Sequence, residues 1–242
     1  MTWIPTRLPV WTDRVVESIA TERGHPPVTD TDSRVAHVCA ALFDLDGTLV
    51  ATEHRSRAAW TRMFGAHGVE VNDDVLATFV GRRAQESLAD HVHKFPGSTV
   101  QGLLDEAVGH LDGPDIPPPY PVPGARALVE ELHSRGTPIG VVTSGLRAHA
   151  SALLDHVGGA DLFSVMITAE DVRRGKPDPE GFLAGCAALG VVPSQTVAFE
   201  DAPAGVAAAK AAGLLCVGLT TTHDASALGG ADVVTTDYTE LA

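Results

Sequence analysis

The chain has 242 residues, 44% of them hydrophobic, and carries 17 Lys and Arg against 31 Asp and Glu, a formal net charge of −14. That length suits one large domain, or a core with a smaller insert. The acid excess argues against nucleic acid as a partner, which calls for a basic face, and no run reaches the roughly 18–20 apolar residues of a membrane span.

Residues 1–36 read as an N-terminal extension. Within 10–21, Trp11, Val15, Val16 and Ile19 fall on or near one face of a short amphipathic helix. Residues 24–34, with Pro26 and Pro27, read as a linker. Arg7, Asp13, Arg14 and Glu17 interrupt any apolar signal-peptide core, so a cytoplasmic location is expected.

From His37 onward, short apolar runs alternate with helical ones. Strands are expected over 38–43, 139–143, 165–168, 196–199, 214–219 and 232–234, and helices over 125–135, 147–157, 179–189 and 202–212. The alternation implies an α/β fold, a Rossmann-like parallel sheet with helices on both faces. Such a sheet carries its site at the carboxyl ends of its strands.

The first strand runs into Asp44-Leu45-Asp46-Gly47-Thr48. Two carboxylates this close repel, and one is pushed toward protonation unless a cation sits between them. The pattern suits a bound hard metal, or one carboxylate that attacks while the other moves a proton. A calcium loop would place its Gly sixth, after a further oxygen ligand, whereas here it comes fourth.

Residues 53–117 break the alternation. They hold no convincing strand and read as helices over about 54–67, 73–79, 84–94 and 99–111. Pro117, Pro118, Pro119 and Pro121 then form a stiff return to the core. The expected organisation is a core of 37–52 and 118–242, with 53–117 as an inserted all-helical cap that closes over the site.

Three further stretches fall at strand ends. Thr143-Ser144-Gly145 offers a hydroxyl and backbone N–H groups that hold phosphate oxygens, although the same run is a helix N-cap signature. In Gly175-Lys176-Pro177-Asp178-Pro179, one of only three lysines sits in a rigid turn, where its ammonium neutralises nearby carboxylates and phosphate. Phe199-Glu200-Asp201-Ala202-Pro203-Ala204-Gly205 delivers two more acids to a helix start, where either could cap the helix. Should these converge on Asp44 and Asp46, four acids at one point imply a divalent cation, with magnesium the fitting choice. Cys39, Cys186 and Cys216 lie in apolar runs without a CxxC pair and read as buried free thiols. The 11 histidines form no HExxH, and no GxSxG occurs.

Together these stretches resemble the haloacid dehalogenase superfamily of phosphatases, in order and spacing, over about residues 38–242. Thr143 to Arg147, Ile167 to Pro177 and Glu200 to Gly205 are most similar to the sugar- and polyol-phosphate phosphatases with a small helical cap. The resemblance implies an aspartyl-phosphate on Asp44 and a general acid, then base, in Asp46. It implies magnesium held by Asp44, the Asp46 carbonyl and Asp201, with Glu200 acting through water. Thr143 and Lys176 would bind phosphate oxygens, with Ser144 and Gly145 beside them. In the cap, Gly81-Arg82-Arg83 matches a Gly-x-Arg of these phosphatases, so Arg83 is expected to touch substrate, with Glu53 also near it.

The chain departs from the family pattern in having Ala51-Thr52-Glu53 where Asp-Ser-Glu is common. The related beta-phosphoglucomutases carry a cap His, Lys and Arg where this chain has Ser56, Val80 and Ala84, which weighs against a sugar phosphomutase, the alternative reading. Asp46 separates the chain from the dehalogenases, which lack the second Asp. A binding protein that retained the fold would have no use for the clustered acids. The expected partner is therefore a small phosphorylated sugar or polyol, with no nucleic acid or membrane, acted on by a monomer or homodimer.

Overall fold

Strand β1 (Ala40–Phe43) is buried along its whole length. Ala41 and Phe43 belong to one apolar cluster, and Leu42 to a second on the opposite face. A strand covered on both faces needs continuous apolar residues rather than alternation, which is what Ala-Ala-Leu-Phe provides. The computed structural model describes residues 38–111 and 113–241. The helix and linker read within residues 1–36 lie outside the described residues.

After β1 come β2 (Val50–Ala51), α1 (Glu53–Ala66), α2 (Asp73–Ala77), α3 (Ala84–His91), α4 (Val100–His110) and β3 (Tyr120–Pro121). Then follow α5 (Ala125–Ser134), β4 (Ile139–Val142), α6 (Arg147–Leu154), β5 (Val165–Ile167), α7 (Glu180–Leu189), β6 (Thr196–Glu200), α8 (Pro203–Ala211), β7 (Leu215–Leu219) and β8 (Val233–Thr235). The main sheet has the order β5-β4-β1-β6-β7-β8, with every pairing parallel. The α/β reading of the sequence therefore holds. Helices α5 and α6 contribute Leu128, Val129, Leu132, Leu153 and Leu154 to one core cluster. Helices α7 and α8 contribute Phe182, Cys186, Val206, Ala208 and Ala209 to the other. Phe43 and Phe199 face each other in register and stack at 4.8 Å.

The chain builds outward from β1 to β4 and β5, then returns to the other side of β1 for β6, β7 and β8. That reversal opens a crevice beyond the carboxyl ends of β1 and β6. Every chemically notable strand end named above reaches this side of the sheet.

Helices α1 to α4 enclose a third cluster that includes Trp60, Met63, Phe64, Phe79, Leu88, Phe95 and Leu103. Helix α2 stops at Ala77, earlier than its apolar spacing suggests. The Thr78 hydroxyl donates back to the Val75 carbonyl at 2.6 Å, and Gly81 then turns the chain with φ +70. Helix α3 gives way at Val92 to a 3-10 turn. The proline-rich return is partly strand: β3 pairs antiparallel with β2, Val50 opposite Pro121 and Ala51 opposite Tyr120. Two-residue strands carry no readable period, and an edge strand tolerates Pro. This ribbon ties together the two crossings between the sheet and the helical insert.

Among the described residues no helix is long and apolar enough to cross a membrane. All three cysteines are free, but Cys39 is only half-buried because it precedes β1 rather than lying within it.

Candidate active site

The Asp44 amide donates to the Phe199 carbonyl at 3.0 Å, which fixes Asp44 beside the end of β6. Glu200 is the last residue of that strand, and Asp201 follows it. Carboxylate oxygens of Asp44, Glu200 and Asp201 lie within 4.8 Å of one another, and all three residues are buried. The Thr48 hydroxyl donates to Asp201 Oδ1 at 3.0 Å, and the Thr222 hydroxyl donates to Oδ2. His223 Nδ1 lies 3.0 Å from the Asp201 carbonyl oxygen and can only donate to it. The Thr221 hydroxyl donates to the Gly47 carbonyl at 2.6 Å.

Lys176 enters this cluster from the loop before α7. Its ammonium pairs with Asp44, lies 2.6 Å from Glu200 Oε1 and donates to the Val142 carbonyl at 3.0 Å. Burial alone would lower the Lys176 pKa, but the Asp44 and Glu200 charges more than reverse that and push it up. Burial pushes Glu200 up to about 8 and Asp201 up to about 7, against the pull of Lys176. Asp44 also moves upward by burial. Among the described residues, Lys176 pairs with two of the three clustered carboxylates, Asp44 and Glu200, and Glu200 Oε2 is buried without a hydrogen-bond donor. Such a cluster, an acid excess with an orphaned oxygen, could hold a hard divalent cation.

Two glycines are dictated by this packing. Gly47 has φ +83, and a Cβ there would lie 2.0 Å from Asp201 Oδ2. A Cβ on Gly205 would meet the Glu200 carboxylate at 2.0 Å.

The Asp46 carboxylate stands apart from that cluster. Its Oδ1 accepts from the Thr52 hydroxyl at 2.8 Å and lies 3.1 Å from His149 Nε2. Burial raises the Asp46 pKa, but the hydrogen bond and charge of His149, with Thr52 and Lys176, outweigh it and bring the group below its ordinary value. In this resting arrangement Asp46, expected from the resemblance to act as general acid and then base, is held toward its ionised form. The same contact raises His149, its hydrogen bond to Asp46 outweighing burial.

Thr143 is buried, and its Oγ1 accepts from the Gly145 amide at 3.0 Å. The Ser144 hydroxyl reaches the Gly81 carbonyl at 3.4 Å, so it faces the helical insert. Arg83, expected to touch substrate, lines the same crevice as Thr143, Ser144 and Lys176, and its guanidinium is held by backbone carbonyls. Nη2 donates to the carbonyls of Ala169 at 3.0 Å and Val172 at 2.7 Å, and Nη1 to that of Arg173 at 3.2 Å. Beside it, Gly81 packs so closely on Ala202 that a Cβ would lie 2.5 Å from the Ala202 Cβ. Together these contacts clasp the insert onto the sheet. Glu53 opens α1; burial first, and the nearby Asp46 charge, push it up to about 7 against the pull of Arg57.

Sequence reasoning gave no role to Thr48, Thr52, His149, Thr222 or His223. Thr48 and Thr52 sit within or just after the first motif and were readable as polar residues beside paired acids. The run Thr220-Thr221-Thr222-His223, directly after an apolar strand, was a signal of the same kind as Thr143-Ser144-Gly145. His149 carried no signal, since its spacing from Asp46 is set only by the sheet.

The family model described as a haloacid dehalogenase-like hydrolase matches residues 39–213. The chain is similar to the validoxylamine A 7'-phosphate phosphatase of Streptomyces hygroscopicus subsp. limoneus, 53% identical over 83% of this chain and 94% of that protein. It is 35% identical to hexitol phosphatase A of Escherichia coli (strain K12), over 80% of this chain and 88% of that one. A solved hydrolase from Pseudomonas syringae superimposes with a TM-score of 0.75 at 25% identity, covering 84% of this chain and 94% of its own.

Proposed function

We propose that this chain, which belongs to the haloacid dehalogenase-like hydrolase family, hydrolyses the phosphate monoester of a small sugar or polyol through an aspartyl-phosphate on Asp44. The observation that carries the mechanism is the buried cluster of Asp44, Glu200 and Asp201 around a single Lys176 ammonium. The substrate class is supported by the relatives that act on validoxylamine A 7'-phosphate and hexitol phosphates.

An Asp44 oxygen attacks phosphorus as the bond to the sugar oxygen breaks. Asp46 gives its proton to that leaving oxygen. Asp46 then takes a proton from water, whose oxygen attacks phosphorus, and the bond to Asp44 breaks to release inorganic phosphate. The arriving phosphate dianion supplies the like charge that lifts Asp46 from its low resting pKa toward a protonated state. Lys176 and Thr143 hold the transferring oxygens, with the Ser144–Gly145 backbone beside them. Thr48 and Thr222 hold Asp201 in place.

The acid excess and the orphaned Glu200 oxygen fit a magnesium ion. Asp44, Asp201 and the Asp46 carbonyl would hold it, with Glu200 acting through water. When bound it supplies positive charge that offsets the clustered acids and the phosphate. Residues 53–117 serve as the cap over this site, with Glu53 facing the sugar. Ser56, Val80 and Ala84 supply none of the His, Lys and Arg side chains that a phosphomutase would place around its sugar phosphate. The three free thiols suit a reducing, cytoplasmic setting.

The test is phosphate release from a panel that includes validoxylamine A 7'-phosphate, hexitol, hexose, 2-deoxyhexose and glycerol phosphates and nucleotides, with magnesium and with chelator. Magnesium-dependent kcat/KM highest on a sugar or polyol phosphate is the expected result. A preference for nucleotides, or full activity in chelator, would overturn it.

A further inference from the structure

Helix α6 begins two residues after the Thr143-Ser144-Gly145 turn, and its third residue is His149. The ring nitrogen Nε2 lies 3.1 Å from Asp46 Oδ1, across 103 residues of sequence. The same Oδ1 accepts from the Thr52 hydroxyl at 2.8 Å. An ionised carboxylate only accepts hydrogen bonds, so Nε2 is the donor in this pair. One Asp46 oxygen thus takes two donors. The other, Oδ2, faces the turn: a Cβ on Gly145 would lie 3.9 Å from it and 3.3 Å from Thr143 Oγ1. The His149 ring packs on the same glycine, its Cδ2 lying 3.2 Å from that position.

We infer that His149 is a positioning residue for proton transfer: with Thr52 it pins Asp46 Oδ1, leaving Oδ2 turned toward the Thr143–Gly145 turn as the oxygen that carries the proton. The two anchors come from different parts of the fold. Thr52 precedes the first helix of the insert, whereas His149 stands on a helix packed against the sheet. A carboxylate held by Thr52 alone retains rotation about its side-chain bonds, and the second donor removes it. Pre-orientation of this kind matters most when the leaving oxygen is basic and needs its proton in the transition state. It matters little when the leaving group departs without one.

The inference rests on the role given to Asp46 above, so the experiment separates the two. Steady-state kinetics are measured for wild type, Asp46→Asn, His149→Ala and His149→Gln on a hexitol phosphate and on p-nitrophenyl phosphate. His149→Ala should lower kcat on the hexitol phosphate by about tenfold or more, the scale of one hydrogen bond to a charged group. On p-nitrophenyl phosphate the loss should stay under about threefold, with KM nearly unchanged for both. His149→Gln, which keeps a donor of similar reach, should recover much of the lost kcat. Equal losses on both substrates, no loss, a faster His149→Ala, or failure of Gln to outperform Ala would overturn the positioning role. Should Asp46→Asn itself show no leaving-group dependence, the proton role of Asp46 falls instead, and with it the basis of the inference.

Discussion

Gly205 lies against the carboxylate of Glu200 so closely that a Cβ on the glycine would fall 2.0 Å from both oxygens. Glu200 is fully buried, so it has no solvent into which to swing. Gly205→Ala should therefore drive the carboxylate out of its place beside Lys176. The magnesium concentration for half-maximal activity should rise by about tenfold or more, as when the support of a metal ligand is lost. Overpacking should also cost about 1–3 kcal/mol of stability. Magnesium titration of activity, with calorimetry on the same protein, checks both; an unchanged metal requirement would separate Gly205 from the site.

The buried acids also set the pH dependence of the metal-free protein. Glu200 at about 8, Asp201 at about 7 and Glu53 at about 7 lie above their ordinary values. Between the unfolded values, about 4, and these folded ones, the native chain binds more protons than the unfolded chain. Stability therefore falls as pH rises through that window. His149, also raised, acts in the same direction: its contribution is complete below about 6.5 and is lost as pH passes its folded value. Asp46 is lowered, so its opposite slope lies below the ordinary carboxylate range, and Lys176 matters only in strongly alkaline solution. In chelator, Tm should decline from about pH 5 to about pH 8, and saturating magnesium should flatten the decline. A Tm that climbs with pH in chelator would contradict the burial of these acids in their present form.

Much of this was legible because the sheet is buried on both faces. Continuous apolar runs such as Ala40–Phe43 mark central strands, and each delivers its chemical residues one or two positions past its end. Asp44, Thr143 and Asp201 were therefore placed by local sequence. The β2–β3 ribbon escaped notice because two residues carry no period and Pro121 reads as linker. Thr222 carried a local signal in its polar run after an apolar strand, but His149 did not, because its meeting with Asp46 depends on strand order, which no local pattern encodes. The backbone partners of Arg83 were hidden for a related reason. A Gly-x-Arg at a helix start does not reveal that three backbone carbonyls of the 169–173 loop stand opposite it.

That clasp leads to a separate expectation. Arg83→Ala removes three charged hydrogen bonds between the helical insert and the sheet. It should open the insert, seen as a larger radius of gyration in solution scattering, and lower kcat/KM on a sugar phosphate by about tenfold or more. Arg83→Lys should recover little, because an ammonium cannot span three carbonyls as a planar fork does. Wild-type scattering together with wild-type kinetics in the Ala variant would show that the clasp has no role in holding the insert down.

Asp201→Ala tests the acid cluster from the other side. It relieves repulsion with Asp44 while leaving the Thr48 and Thr222 hydroxyls without their acceptor. Activity should fall sharply or demand far more magnesium, while metal-free stability at about pH 8 should rise, since a costly buried charge is gone. Calorimetry in chelator checks the stability and a metal titration checks the activity; loss of both stability and metal response would mean that Asp201 is chiefly structural.

Every proposed step passes through a phosphorylated Asp44, which acid quenching can trap. Wild type and Asp44→Asn are mixed with a hexitol phosphate labelled in its phosphate and stopped in acid during turnover, and the protein is digested and mapped. Wild type should carry label on the peptide that contains Asp44, discharged by hydroxylamine. Asp44→Asn should stay folded, carry no label and release no phosphate. Substantial phosphate release by pure Asp44→Asn, or label on any other residue, would contradict the account.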